Sequence, residues 1–554
     1  MDEWTLARDL NPAAEWTGPG LGGALRTYDG DAVFLPDSFT GERRHAHLMH
    51  FLAVGWRICP GPVRPSNLSI GSKIVALLME VSEYCLNLVP PMNWTLPRPR
   101  VLTAGLALLT AFALRAQPLP DADAMGLFAG ELLDRQHLDT HGPGIAVLVT
   151  RGDEILVKTA RGLASLELGV PLSTKHRFRI GSVTKQIAAA TLLRLVDEGR
   201  ARLEDPLAQY VPDFPNGRAI TLAMLLNHTS GVKSYTDIEG YMGNPVRRDL
   251  DTPELIRVFK DLKVDFPPGS AWAYNNSAYV LVGAVIEKIT GKPWWQTPVT
   301  FPTPLFYPDP KHLVPGHVCG YTREAQNPWA PSGLISMTQP QAAGALVGDL
   351  LSLWRWNQSL HEQAFLKPET YRRMTTPEGP AVASKYGFGL FIHTLRGERI
   401  LSHSGGIHGF HSELQYLPAK RITVVLLRNA DSGPNLGSIG RQLGAFAAGN
   451  PFPRPAPVNR EIAQLKAFEG IYSRGKDLTT LRIVHNALTS QRSAESPVVL
   501  TPVGASRFLF DDTSVQINFV RNLAGVVTGF EQFPDGDGEG VLWNRSADLP
   551  GTPP

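Results

Sequence analysis

Cysteine is scarce: the 554 residues hold only Cys59, Cys85 and Cys319, which supply neither zinc-ligand spacing nor a disulfide framework. An excess of charge of one sign is also missing. With 53 Lys+Arg against 51 Asp+Glu the formal charge is +2, which argues against nucleic acid or an electrostatically held membrane as partner. Long apolar runs are lacking too. Residues 74–90 are broken by Glu80 and Glu83, and residues 101–114 fall short of the ~20 apolar residues of a bilayer crossing, so no stable membrane span is expected. The Asp535–Gly540 stretch imitates the start of a calcium loop, but Ser546 stands where the bidentate glutamate belongs, so a hairpin turn is expected. His361-Glu362 lacks the second histidine of a zinc helix. No metal and no cofactor is expected.

What is present divides the chain. Arg98-Pro99-Arg100, the apolar stretch 101–114 and Arg115-Ala116-Gln117 have the parts of a secretory signal, though far inside the chain. Met92 stands at the usual distance upstream, so residues 92–116 read as a signal peptide and residues 1–91 as a spurious or unstructured extension, with periplasmic or secreted delivery expected. Asn450-Pro451-Phe452-Pro453-Arg454-Pro455-Ala456-Pro457 marks a stiff linker over 446–460. Beyond it, residues 470–472, 481–484, 498–500, 507–510, 515–520 and 526–530 read as short strands of a small antiparallel barrel over 461–554.

The chemistry concentrates in three short motifs. In Ser182-Val183-Thr184-Lys185 a hydroxyl and an amine three residues apart share one helix face, a nucleophile beside a base. Ser182 falls in the first turn, where free N–H groups and the helix dipole stabilise a developing oxyanion. Roughly two S-x-x-K matches arise by chance in a chain this long. Ser473 to Lys476 is such a decoy, because a turn before a strand would not bring its side chains together. The plain alternative for Ser182 is a helix cap, with Lys185 reaching solvent. Tyr274-Asn275-Asn276, the only Y-x-N, follows a Pro267-Pro268-Gly269 turn and precedes a helical run, so Tyr274 and Asn276 can point into a cleft. His403-Ser404-Gly405-Gly406 contains the only H-x-G and lies before two paired strands, where glycine lets a substrate backbone approach.

In this order the motifs resemble those of the serine beta-lactamase and penicillin-binding-protein superfamily, nearest to its class C-like branch of esterases and D-amino-acid peptidases. The likeness covers about residues 125 to 445. It extends to Leu225-Leu226-Asn227-His228-Thr229-Ser230-Gly231, to the Pro268-Gly269 to Gly291 block, and to Ala343-Gly344-Ala345-Leu346 before Asp349-Leu350. It implies an α/β (α+β) body, an antiparallel sheet flanked by helices, and the C-terminal module resembles the lipocalin-like barrel of some relatives. It implies Ser182 as acylated nucleophile, Lys185 and Tyr274 as proton-transfer groups, Asn276 as ligand of a substrate amide, and the N–H groups of Ser182 and Gly406 as oxyanion hole. His403 and Gly405 would line the opposite wall.

Either Lys185 or Tyr274 can be the base, and for either the pKa must fall toward neutrality. His403 stands where the best-known members carry lysine; a histidine near 6.5 is a weaker carboxylate ligand, which lowers the expectation of beta-lactam hydrolysis. The stretch from Gly291 to Pro304-Leu305-Phe306 is short for the family, which would reshape one rim of the cleft. The expectation is a serine hydrolase cleaving small ester or amide substrates through an acyl-enzyme. The alternatives are a D-stereospecific peptidase acting on D-amino-acid peptides, a weak beta-lactamase, and a non-catalytic peptidoglycan or ligand receptor.

Overall fold

The computed structural model describes residues 119–136, 140–296, 313–324, 329–362, 365–492, 497–510 and 513–547. All lie in the compact unit Thr110–Pro554. The expected extension 1–91, the signal 92–116 and most of the stretch after Gly291 (297–312) fall outside the described residues.

The body is built on an antiparallel sheet with strands β1 (Ile145–Arg151), β2 (Glu154–Arg161), β3 (Phe391–Leu395), β4 (Glu398–Ile407), β5 (Phe410–Leu417) and β6 (Ile422–Arg428), in the order β2-β1-β6-β5-β4-β3. Its central strands are apolar at successive positions because both faces are covered. Ala146, Leu148, Val425 and Leu427 turn toward one cluster of buried residues, whereas Ile145, Val147, Val149, Val424 and Leu426 turn toward another.

Helices α1 (Ala122–Arg135) and α5 (Leu436–Ala447) pack in the second cluster. On the first face lies the helical region, with α2 (Val183–Asp197), α3 (Asn276–Thr290) and α4 (Leu350–His361). Twelve of the fifteen residues of α2 are buried, so this helix runs through the core instead of along the surface. Its N-terminus meets β4 beyond Ser402. There β3 has ceased to pair with β4, and the stretch from His403 to Ile407 keeps a free edge on that side.

After Gly449 the chain runs without helix or strand to Glu461, and Phe452 is buried in the second cluster, so the proline-rich segment is held against the body. The C-terminal module is a closed antiparallel barrel of eight strands with its own core: β7 (Gly470–Arg474), β8 (Asp477–Val484), β9 (Ala487–Gln491), β10 (Val498–Pro502), β11 (Arg507–Phe510), β12 (Gln516–Arg521), β13 (Val527–Phe533) and β14 (Val541–Ala547). The expected α/β body with a flanked antiparallel sheet, and the barrel behind it, are both present. The Asp535–Gly540 stretch is the β13–β14 turn, and it meets the body: Asp535 pairs with Arg441, and Asp537 pairs with Arg396. Among the described residues no helix is long and apolar enough to cross a membrane.

Candidate active site

Ser182 occupies the N-cap position of α2, yet its side chain makes no capping hydrogen bond. Lys185 does not reach solvent; it is fully buried. The plain reading of a capping serine and a surface lysine is thereby excluded. The Lys185 amine lies within hydrogen-bond distance of three oxygens: Ser182 Oγ at 3.0 Å, Asn276 Oδ1 at 2.7 Å and the Ala343 carbonyl at 2.8 Å. The Ala343-Gly344-Ala345-Leu346 signature thus supplies a backbone ligand to the amine. Gly181 precedes the serine with φ +49°, and a Cβ there would come within 3.0 Å of the Gly406 nitrogen, so conformation and space both demand glycine.

The tyrosine triplet is held by its middle residue. Asn275 caps α3 by accepting from Ala278 N–H at 2.8 Å, donates to the Val232 carbonyl, and gives its own N–H to His228 Nδ1 at 3.2 Å. Asn276 is then the first helical residue, with Nδ2 donating to Thr236 Oγ1 at 3.0 Å. The Tyr274 ring lies 4.7 Å from the Lys185 amine.

His403 and Gly405 sit on β4, but neither lines the cleft as expected. His403 is buried behind Tyr386, with Nε2 at 3.0 Å from the Tyr386 hydroxyl and Nδ1 at 2.6 Å from the Ser404 carbonyl. Burial pushes its pKa down to about 3, so it is a neutral hydrogen-bonding group and not a wall that titrates near 6.5. A Cβ on Gly405 would fall 2.1 Å from the Ile180 carbonyl. Its missing side chain admits the turn before Ser182, not a substrate backbone. Gly406 is exposed and does line the cleft, while Ser182's own N–H stays outside the turn bonds that Val183, Thr184 and Lys185 make to Ile180, Gly181 and Ser182.

Burial governs the charges. It holds Lys185 well below an ordinary lysine and raises Tyr274 above an ordinary phenol, the Ser182 side chain only partly opposing the second shift. The cleft over Ser182 has a volume of about 380 Å³ and includes Asn276, Thr236, Gly344, Ile407 and Asp431 in its wall. Among the described residues no lysine or arginine lines it, and Asp431 contributes a carboxylate. Nor do three or more His, Cys, Asp or Glu side chains converge as a metal site among those residues.

Two neighbours were not legible as site residues. His228, expected to be a structural turn, lies 4.5 Å from the Tyr274 ring at a tilt of 47°, and burial lowers its pKa. Tyr386, partner of His403, opens Tyr386-Gly387-Phe388-Gly389, an aromatic among close-packed glycines that was the available signal. The other S-x-x-K matches are separated: Ser473 lies in β7 while Lys476 falls in the hairpin turn, and Lys233, three residues after Ser230, pairs with Asp265 at 3.0 Å.

The Beta-lactamase family model matches residues 130–448. The chain is similar to a D-aminopeptidase of Gluconobacter oxydans (strain 621H), with 26% identity over 344 residues, 60% of this chain and 63% of that protein. It is also similar to Esterase EstB of Burkholderia gladioli, with 34% identity over 206 residues, 35% of this chain and 51% of that protein. The chain therefore spans less than two thirds of either relative. Among solved structures, a D-stereospecific amidohydrolase from Streptomyces sp. superposes with a TM-score of 0.50 at 26% identity, over 58% of this chain and 97% of that one.

Proposed function

We propose, because this chain belongs to the beta-lactamase family, that it is a serine hydrolase cleaving small ester or amide substrates through an acyl-enzyme on Ser182. The observation that carries this reading is the environment of the Lys185 amine. A neutral amine has two N–H donors and one lone pair. The acceptors Asn276 Oδ1 and Ala343 O take the donors, which leaves the lone pair for the Ser182 hydroxyl proton. Burial favours the neutral amine and the protonated phenol, which supports Lys185 as base and Tyr274 as relay.

Ser182 Oγ attacks the substrate carbonyl as its proton passes to Lys185, and the oxyanion accepts from the N–H groups of Ser182 and Gly406. Tyr274 then gives its proton to the leaving oxygen or nitrogen and regains one from Lys185. Water completes the cycle by attacking the acyl group along the reverse route.

Asp431 favours a more specific reading. A cleft with that carboxylate and no lining cation suits an acyl group bearing an ammonium, as in D-amino-acid amides or esters, over the carboxylate of a beta-lactam. The names of the D-aminopeptidase and the D-stereospecific amidohydrolase lend support.

Intact protein treated with a fluorophosphonate should gain one adduct at Ser182, and Ser182→Ala should abolish it. Lys185→Ala should slow turnover roughly 10²-fold or more. An unlabelled intact chain would favour the receptor alternative, and normal turnover in Lys185→Ala would overturn the base assignment. Parallel assay of a p-nitrophenyl ester, a D-amino-acid amide and a chromogenic cephalosporin decides among substrates. Export is part of the proposal: expression from Met92 in a Gram-negative host should yield protein outside the cytoplasm that begins at Gln117. N-terminal sequencing checks this, and retention of residues 92–116 in the membrane would make the segment an anchor.

A further inference from the structure

A second cavity, of about 320 Å³, lies on the reverse face of the strand pair that forms the catalytic wall. Side chains alternate along β4. His403 and Gly405 turn toward α2, whereas Ser402 and Ser404 turn the other way and line this cavity, opposite Gln415 and Glu413 of β5. Helix α5 closes it with Gly437 and Arg441.

Besides the Ser402 and Ser404 hydroxyls, the His393 ring and the Arg441 guanidinium, the cavity wall holds two acceptors without a donor. Gln415 is 2% exposed, and its Nε2 donates to Glu413 Oε1 at 3.0 Å and to the Gly437 carbonyl at 3.1 Å. Its Oε1 is buried and has no hydrogen-bond partner. The amide cannot easily turn away, because a Cβ on Gly440 would already lie within 3.0 Å of it. Glu413 is 5% exposed, and among the described residues nothing donates to its Oε2. An orphaned acceptor in such a place costs about 1–3 kcal/mol unless a ligand or water meets it.

Arg441 does not fill the role. Its guanidinium donates to the Thr394 carbonyl at 3.1 Å and pairs with Asp535 of the barrel turn, and it opposes the effect of burial on Glu413 only in part. An anion arriving here would face the Glu413 carboxyl. A small cationic donor would satisfy Glu413 Oε2 and Gln415 Oε1 together, with its apolar body against Phe391 and Ile400. We propose that this cavity is a second binding site, distinct from the catalytic cleft, for a small primary amine whose ammonium group is held between Glu413 and Gln415. Burial raises the Glu413 pKa to about 7, which keeps the carboxylate form accessible near neutrality, and a bound ammonium would favour it further.

Benzylamine is a suitable probe, since it joins a primary ammonium to an aromatic body. Calorimetric titration of the full chain should show saturable one-to-one binding, and the neutral isostere benzyl alcohol should bind at least ~10-fold more weakly. Glu413→Gln and Gln415→Leu should each weaken benzylamine by about 10-fold or more. Asp431→Asn, which removes the carboxylate of the catalytic cleft, should leave this affinity unchanged. Because Glu413 and Gln415 are buried and their variants could misfold, Ser404→Leu at the exposed mouth serves as a second test and should block the cavity. No binding of benzylamine, equal binding of the alcohol, loss of binding in Asp431→Asn, or full affinity in Ser404→Leu would each overturn the proposal.

Discussion

At the scale of single residues, burial acts on Lys185, Tyr274 and His403 alike, and its consequence depends on the charged form each would take. It lowers Lys185, which favours the neutral amine that the proposed base needs, raises Tyr274, which favours the phenol that the proposed relay needs, and leaves His403 neutral. A histidine buried in the neutral form also ties stability to pH. His361, stacked 4.4 Å from Tyr416, is pushed down to about 3, as is His403. An unfolded histidine takes up its proton near 6.5. Between ~6.5 and ~3 the unfolded chain therefore binds more protons than the folded one, so stability falls as the pH is lowered through that window. The thermal midpoint should drop from pH 6.5 to pH 4, and less steeply in His361→Phe, which keeps the stack on Tyr416. Equal slopes in differential scanning fluorimetry would show that His361 does not contribute.

At the scale of elements, the free edge of β4 and the N-terminus of α2 make the site, and the glycines between them set the spacing. Gly405→Ala would drive a methyl group into the Ile180 carbonyl, whereas the same change at Gly406 meets nothing nearer than 3.5 Å, the His411 ring. Gly405→Ala should therefore cost roughly 10²-fold in labelling rate at Ser182, by displacing the oxyanion donors, while Gly406→Ala should keep the fold. Similar rates in the two variants would separate the β4 spacing from catalysis. The barrel shows where sequence pattern falls short. Strands β9 and β14 escaped notice because Leu488-Thr489-Ser490-Gln491 and Trp543-Asn544-Arg545-Ser546 are polar at most positions. In β9 the buried threonine and serine are accommodated by hydrogen bonds, Thr489 to the Arg482 carbonyl at 3.0 Å and Ser490 with Thr479 at 2.9 Å.

At the scale of the whole molecule, two arginines of the body, Arg396 and Arg441, hold two aspartates of the barrel turn, and Phe452 anchors the segment between the modules. A cut at Asn450 would strip Phe452 from the core, so a fair separation lies beyond Arg460. Replacing Asp535 and Asp537 together by alanine should speed proteolysis between residues 453 and 461 while leaving the labelling rate at Ser182 unchanged, because the catalytic side chains all precede that segment. Unchanged proteolysis would mean that the ion pairs do not hold the modules together, and slowed labelling would mean that the barrel supports the cleft.

The residue types and spacing of Ser182 to Lys185, Tyr274 to Asn276 and His403 to Gly406 were enough to identify the family, the flanked sheet and the barrel, because local periodicity and short motifs are written along the chain. Which groups face substrate was decided only in three dimensions. His403 turned from a wall into a buried partner of Tyr386, Gly405 from a substrate contact into a packing gap, and Asp431 entered the cleft from a strand end some 250 residues after Ser182. Burial and cross-strand register set those outcomes, and both depend on contacts between residues far apart in the chain.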